Sequence, residues 1–227
     1  MNVTFLKWGA GSLALLVSAT GATTTLLAQD PSSSQSSPAP SAPAAAAEKK
    51  ADPNIAERKE NQQDRIANGV KSGQLTPGET ANLEKKEAAI NKETSADRAA
   101  NGGKLTSAEK AQVNKQQNQV SKQIYADKHN ANTAHYGNNK VGQRRENQQD
   151  RIAQGIKSGQ LTPSETAKLE KQQQGINKQV ATDRKANGGT LNAAQKKQVN
   201  KEQNQASRNI YKKKHNAATQ PNAKPKQ

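Results

Sequence analysis

The chain has 227 residues, 30% hydrophobic and 2% aromatic, with 35 Lys and Arg against 19 Asp and Glu, a formal net charge of +16. An ordinary globular domain is nearly half apolar, so this composition excludes a large conventional core and sits near the disordered boundary. Cysteine is absent, which excludes a disulfide framework, thiolate chemistry and a lipid-anchor cysteine.

Residues 1–28 are expected to be a secretory signal peptide. Lys7 supplies the positive end, Leu13 to Val17 lie in the apolar stretch, and the small Ala28 precedes a plausible cleavage point at Gln29-Asp30. Interspersed Thr, Ser and Gly dilute the stretch too far for a good spanning helix. The expected location is periplasmic or extracellular. Residues 29–51, dominated by Pro, Ser and Ala, show no hydrophobic period and are expected to form a disordered linker.

A tandem duplication follows. Shifting the sequence by 86 residues aligns Arg58–Thr133 with Arg144–Thr219 without a gap, with 50 of 76 positions identical. A second period of 30 residues lies inside each copy. It places Gly73 on Gly103, Leu75 on Leu105, Thr76 on Thr106, Glu79 on Glu109, Leu83 on Val113 and Ile90 on Val120. The steps from Glu79 to Leu83 and on to Ile90 keep one helix face apolar.

These signals predict an all-α protein of two tandem three-helix modules, at 52–133 and 142–219, joined by a linker at 134–141 and followed by a basic tail at 220–227. In the first module the helices begin at Asp52-Pro53, Thr76-Pro77 and Thr106, and end at Ser72-Gly73, near Ala100 and near Asn130. In the second they fall at about 142–157, 163–186 and 193–216, by the same start and stop signals. Thr76 with Glu79, Thr106 with Glu109 and Thr162 with Glu165 spell capping boxes, and Asn192 with Gln195 spells an uncharged version.

The same loops resemble degenerate EF-hand loops. Asn68 to Glu79 carries Gly73 at the sixth position, Leu75 at the eighth and Glu79 at the twelfth; Arg98 to Glu109 fits the same frame. The resemblance implies calcium held by side-chain oxygens at positions one, three, five and twelve. Those positions hold Asn68, Val70 and Ser72 in the first loop and Arg98, Ala100 and Gly102 in the second. The third has Gln154, Ile156 and Ser158, and the fourth Arg184, Ala186, Gly188 and then Gln195. No loop offers more than one carboxylate there, so capping outweighs calcium binding and no metal site is assigned. The chain is also similar to exported bacterial proteins of unassigned function with Gly-x-Leu-Thr-x-x-Glu helical repeats, which implies export and a helical fold but no activity.

The remaining candidates are weaker. His129 and His215 follow Tyr125 and Tyr211 by four residues in the last helical turn, where positive charge suits free carbonyls. Tyr125 and Tyr211 are expected to pack between helices. The Gln- and Asn-rich stretches Asn114 to Gln119 and Asn200 to Gln205 are expected to be solvated. No nucleophile–base pair, phosphate-cradling loop or metal spacing is present, so no catalytic or cofactor residue is assigned and the protein is read as non-enzymatic. The expected function is that of an exported structural or binding protein. The positive excess favours an anionic envelope polymer or lipid as partner, and the shortage of aromatic stackers argues against sequence-specific nucleic-acid recognition.

Overall fold

Six helices form where the capping signals stand: α1 (Pro53–Ser72), α2 (Pro77–Ala100), α3 (Ser107–Lys128), α4 (Lys140–Lys157), α5 (Pro163–Ala186) and α6 (Ala193–Lys214). They come from a computed structural model that describes residues 53–220. The expected signal peptide, the linker at 29–51, the Asp52 cap and the tail beyond Gln220 lie outside those residues. The described chain is all-helical.

The four expected capping boxes are made. The side-chain oxygens of Thr76, Thr106, Thr162 and Asn192 accept from the backbone N–H three residues on, and Glu79, Glu109, Glu165 and Gln195 return a side chain to the cap backbone. Three boundaries differ by two residues from the sequence reading: α3 ends at Lys128, α6 ends at Lys214 and α4 starts early. The α4 helix starts at Lys140, inside the expected linker, because Asn139 caps it by accepting from Gly142 N at 3.1 Å.

The turns are as closely specified. Gly103 N donates to Arg98 O at 2.7 Å, and Gly189 N to Arg184 O at 2.8 Å, closing the six-residue ring that ends a helix on a left-handed glycine. At the end of α1, Leu75 N donates to Gly69 O, and the Leu75 side chain folds back over Gly69. A methyl group on Gly69 would stand 2.7 Å from Leu75 Cδ1, and one on Gly155 would stand 2.6 Å from Leu161 Cδ1. Glycine at these helical positions makes room for the loop leucine, which is buried in both copies.

The two copies do not keep separate cores. The most extensive helix contact joins α2 to α5, and the next joins α1 to α4, each helix lying against its own counterpart. Ile66, Leu75, Leu83 and Ile124 share one apolar cluster with Ile152, Leu161, Leu169 and Ile210. A smaller cluster of Ile176, Val180, Leu191, Val199 and Ala206 lies in the second copy.

Two expectations are corrected. Tyr125 and Tyr211 are 62% and 59% exposed, their rings stacked on His129 and His215 at centroid distances of 4.2 and 4.1 Å instead of packing between helices. The stretches expected to be solvated are buried at one position each, Gln117 and Gln203. Gln117 Nε2 donates to Ile55 O, and Gln203 Nε2 to Val141 O, so each ties its copy's third helix to the first.

Candidate functional site

The capping loops spend their polar groups on the chain itself. Glu79 Oε2 accepts from Thr76 N at 2.9 Å and Thr76 Oγ1 at 2.7 Å. Its Oε1 accepts from Asn130 Nδ2 at 2.7 Å and Asn132 Nδ2 at 3.2 Å. Burial pushes this carboxyl up, but those hydrogen bonds outweigh it and hold Glu79 below the usual carboxylate range. Glu165 repeats the pattern with Thr162, Asn216 and Lys213. Of the other EF-hand positions in the first loop, Val70 lies in the core and Ser72 Oγ donates to Gly69 O. The loop geometry is therefore that of helix starts bound to the ends of α3 and α6. Among the described residues no group of three or more His, Cys, Asp or Glu converges as metal ligands.

The seam between α1 and α4 has a different character. Ala67 and Ala153, counterparts in the duplication, are buried there and form the floor of a groove of about 360 Å3. Lys71, Arg151 and Lys157 line it against a single carboxylate, Asp150. Lys71 and Lys157 are counterparts and both are exposed. Lys214 reaches the same wall, its Nζ donating to Gln154 Oε1 at 3.1 Å. Burial, then the nearby Arg151 charge, lowers the Lys214 ammonium from its ordinary value, as expected where cations crowd without enough counter-charge. Arg151 is fixed by donation from Nη2 to Ser207 O, so its guanidinium is held in place before any ligand arrives. No helix among the described residues is long and apolar enough to cross a membrane.

A third feature lies beneath the surface. Thr80, Glu84, Glu87 and Thr94 stand at helical spacing on α2, and all are buried. Glu84 Oε2 accepts from Gln63 Nε2 at 3.1 Å, and Glu170 Oε2 accepts from Gln149 Nε2 at 2.9 Å. The remaining oxygen of each carboxyl has no protein partner. Burial pushes Glu84 up to about 8; the bond from Gln63 opposes it, and the Glu87 and Glu170 charges add to it. Burial likewise raises Glu170 to about 8 and Glu87 to about 7. Glu84 and Glu170 therefore sit largely protonated in the folded chain near neutral pH, while Glu87 titrates there. The sequence reading passed over them, although Glu84 and Glu170 are one position retained in both copies on a stripe of helical period.

No family model matches this sequence, and neither a curated protein nor a solved structure matches it. Function is read from its own residues.

Proposed function

We propose that this is an exported, non-enzymatic binding protein whose ligand is an anionic polymer of the envelope or its surroundings, seated across the α1–α4 seam. The observation that carries the reading is the groove itself, where the duplication brings Lys71 and Lys157 to one surface together with Arg151. Two lysines drawn from equivalent positions of the two copies give a linear polyanion repeated contacts along its length, and the formal charge of +16 steers it there. The groove reads charge and spacing. Nothing in it reads a base edge or positions a nucleophile, which supports a polymer over a sequence and binding over turnover.

The test is retention on a sulfated or phosphorylated polysaccharide matrix across a salt gradient. Each basic contact that displaces a counterion steepens the dependence of log affinity on log salt, by roughly 0.7–0.9 per charge on nucleic-acid polyanions. The expected result is release between low and physiological ionic strength, with Lys71→Glu/Lys157→Glu eluting at clearly lower salt at unchanged fold. Retention that ignores salt, or a double variant that elutes with the parent, overturns the reading.

A further inference from the structure

Each copy presents a row of cations where its third helix meets its first. On α3, Lys115, Asn118 and Lys122 stand at steps of three and four residues, share one ridge and are exposed. Arg58 of α1 reaches that ridge, its Nη1 donating to Asn118 Oδ1 at 2.9 Å, so a guanidinium is held between two ammonium groups. Eighty-six residues on, Lys201, Asn204 and Arg208 repeat the ridge on α6, and Arg144 Nη1 donates to Asn204 Oδ1 at 3.1 Å. The one exchange between the two rows, Lys122 for Arg208, keeps the charge.

The rows are not neutralised. Between Lys110 and Ala126, α3 carries no Asp or Glu. Between Lys196 and Lys214, α6 carries only Glu202, whose Oε1 accepts from Gln198 Nε2 at 2.7 Å. Among the described residues, none of Lys115, Lys122, Lys201 and Arg208 makes an ion pair. In the second copy Lys196 and Lys197 lengthen the row along an open groove of about 620 Å3. Solubility needs net charge and not its alignment. Like charges about 6 Å apart on one helix ridge repel, and a bound polyanion removes that repulsion.

The two rows lie on separate helices. α3 packs on α1 and α2, α6 packs on α4 and α5, and α3 and α6 do not touch. A polymer lying along one row leaves the other open to a second strand. We propose that the protein is bivalent: each row binds one strand of a linear phosphate polymer, and the duplicated chain bridges the two. This rests on the polyanion reading above for the charge of the partner, and it adds two surfaces outside the α1–α4 seam. Each guanidinium, with cationic side chains on either side, forms a donor array that suits the several oxygens of a phosphate better than the two coplanar oxygens of a carboxylate. With one strand bound, a neighbouring strand meets the second row at a raised local concentration, so bridging needs no new contact.

The experiment loads the full chain onto immobilised long-chain polyphosphate at low salt and reads capture of a second, fluorescent polyphosphate strand after washing. The parent should capture it. Lys115→Gln/Lys122→Gln/Lys201→Gln/Arg208→Gln should lose the second-strand signal while still loading through the seam, since Gln at exposed positions keeps the helices. Lys85, Lys86, Lys168 and Lys171 are exposed on α2 and α5. Changing those four to Gln removes the same formal charge and should leave capture at the parental level. A row variant that fails to load at all also supports the rows, and counts against the seam. Parental capture by the row variant, equal loss in both variants, no capture by the parent, or capture of alginate as strong as that of polyphosphate overturns the inference. Failure of the seam reading shows separately, as a Lys71→Glu/Lys157→Glu variant that loads like the parent whatever the second strand does.

Discussion

Gln173 Nε2 donates to Gln148 Oε1 at 3.2 Å, and the counterparts of these two residues, Glu87 and Gln62, make no such bond. In the first copy Gln62 Oε1 and both Glu87 oxygens are buried acceptors without partners. Burial without a donor raises the Glu87 carboxyl to about 7, where the second copy carries a neutral amide.

Replacing Glu87 by Gln should therefore stabilise the protein, since it installs the amide already present at position 173. An unpaired buried acceptor costs on the order of 1–3 kcal/mol, and the gain should fall in that range near neutral pH. Urea unfolding of Glu87→Gln against the parent checks it. A lower midpoint for the variant would show that the carboxyl is held by interactions other than these.

Stability should fall as pH rises. Glu84 and Glu170 are raised from an ordinary value of 4.5 to about 8, so the folded chain binds protons that the unfolded chain has released. Their contribution is complete below the ordinary value and is lost progressively until about 8, beyond which the curve is flat. Glu87, raised to about 7 and opposed by the facing Lys59 charge, titrates inside the same window. Thermal melts should lose on the order of a few kcal/mol between about pH 5 and pH 8.5. In the Glu84→Gln/Glu170→Gln double variant most of that slope should vanish.

Gly69→Ala and Gly155→Ala should each destabilise, although alanine is the better helix former. The added methyl meets a leucine carbon at 2.6–2.7 Å, and forcing a buried side chain aside costs about 1–3 kcal/mol, more than the helix-propensity gain of up to about 1 kcal/mol. Adding Leu75→Ala to Gly69→Ala removes the clash, so the double variant should lose less than the sum of the two single changes. Additive losses in denaturant melts would place the strain elsewhere.

The four caps should not be equal. Glu79 binds Thr76 and also Asn130 and Asn132, more than fifty residues away, whereas Glu109 binds Thr106 and the nearby Asn101 on an exposed surface. Glu79→Ala should cost about 1–3 kcal/mol and Glu109→Ala clearly less. Equal costs by chemical denaturation would mean that the link to the end of α3 adds nothing.

The helices were legible because they are punctuated locally. Thr76, Thr106, Thr162 and Asn192 with their third-residue partners fix starts, and Gly73, Gly102, Gly159 and Gly188 fix ends. All of these act within a few residues. The packing of the copies was not legible, because the α2 and α5 faces that carry it mix the buried carboxyls Glu84 and Glu170 with Leu83 and Leu169. Polar residues at helical spacing look the same whether they face water or a second polar helix, so Gln117 and Gln203 were read as solvated. The groove could not be seen either. Lys71 and Arg151 are eighty residues apart, and only the contact of α1 with α4 makes them neighbours.

That contact has a further consequence. Surfaces that pair with their own equivalents are self-complementary, and the two halves amount to a homodimer made covalent by the segment from Ala134 to Asn139. A half-length chain would retain the adhesive faces and find another molecule of itself, in a manner that depends on concentration where the joined protein does not. Each helix of the seam already lies against its own counterpart, so the pairing of the described copies closes on itself.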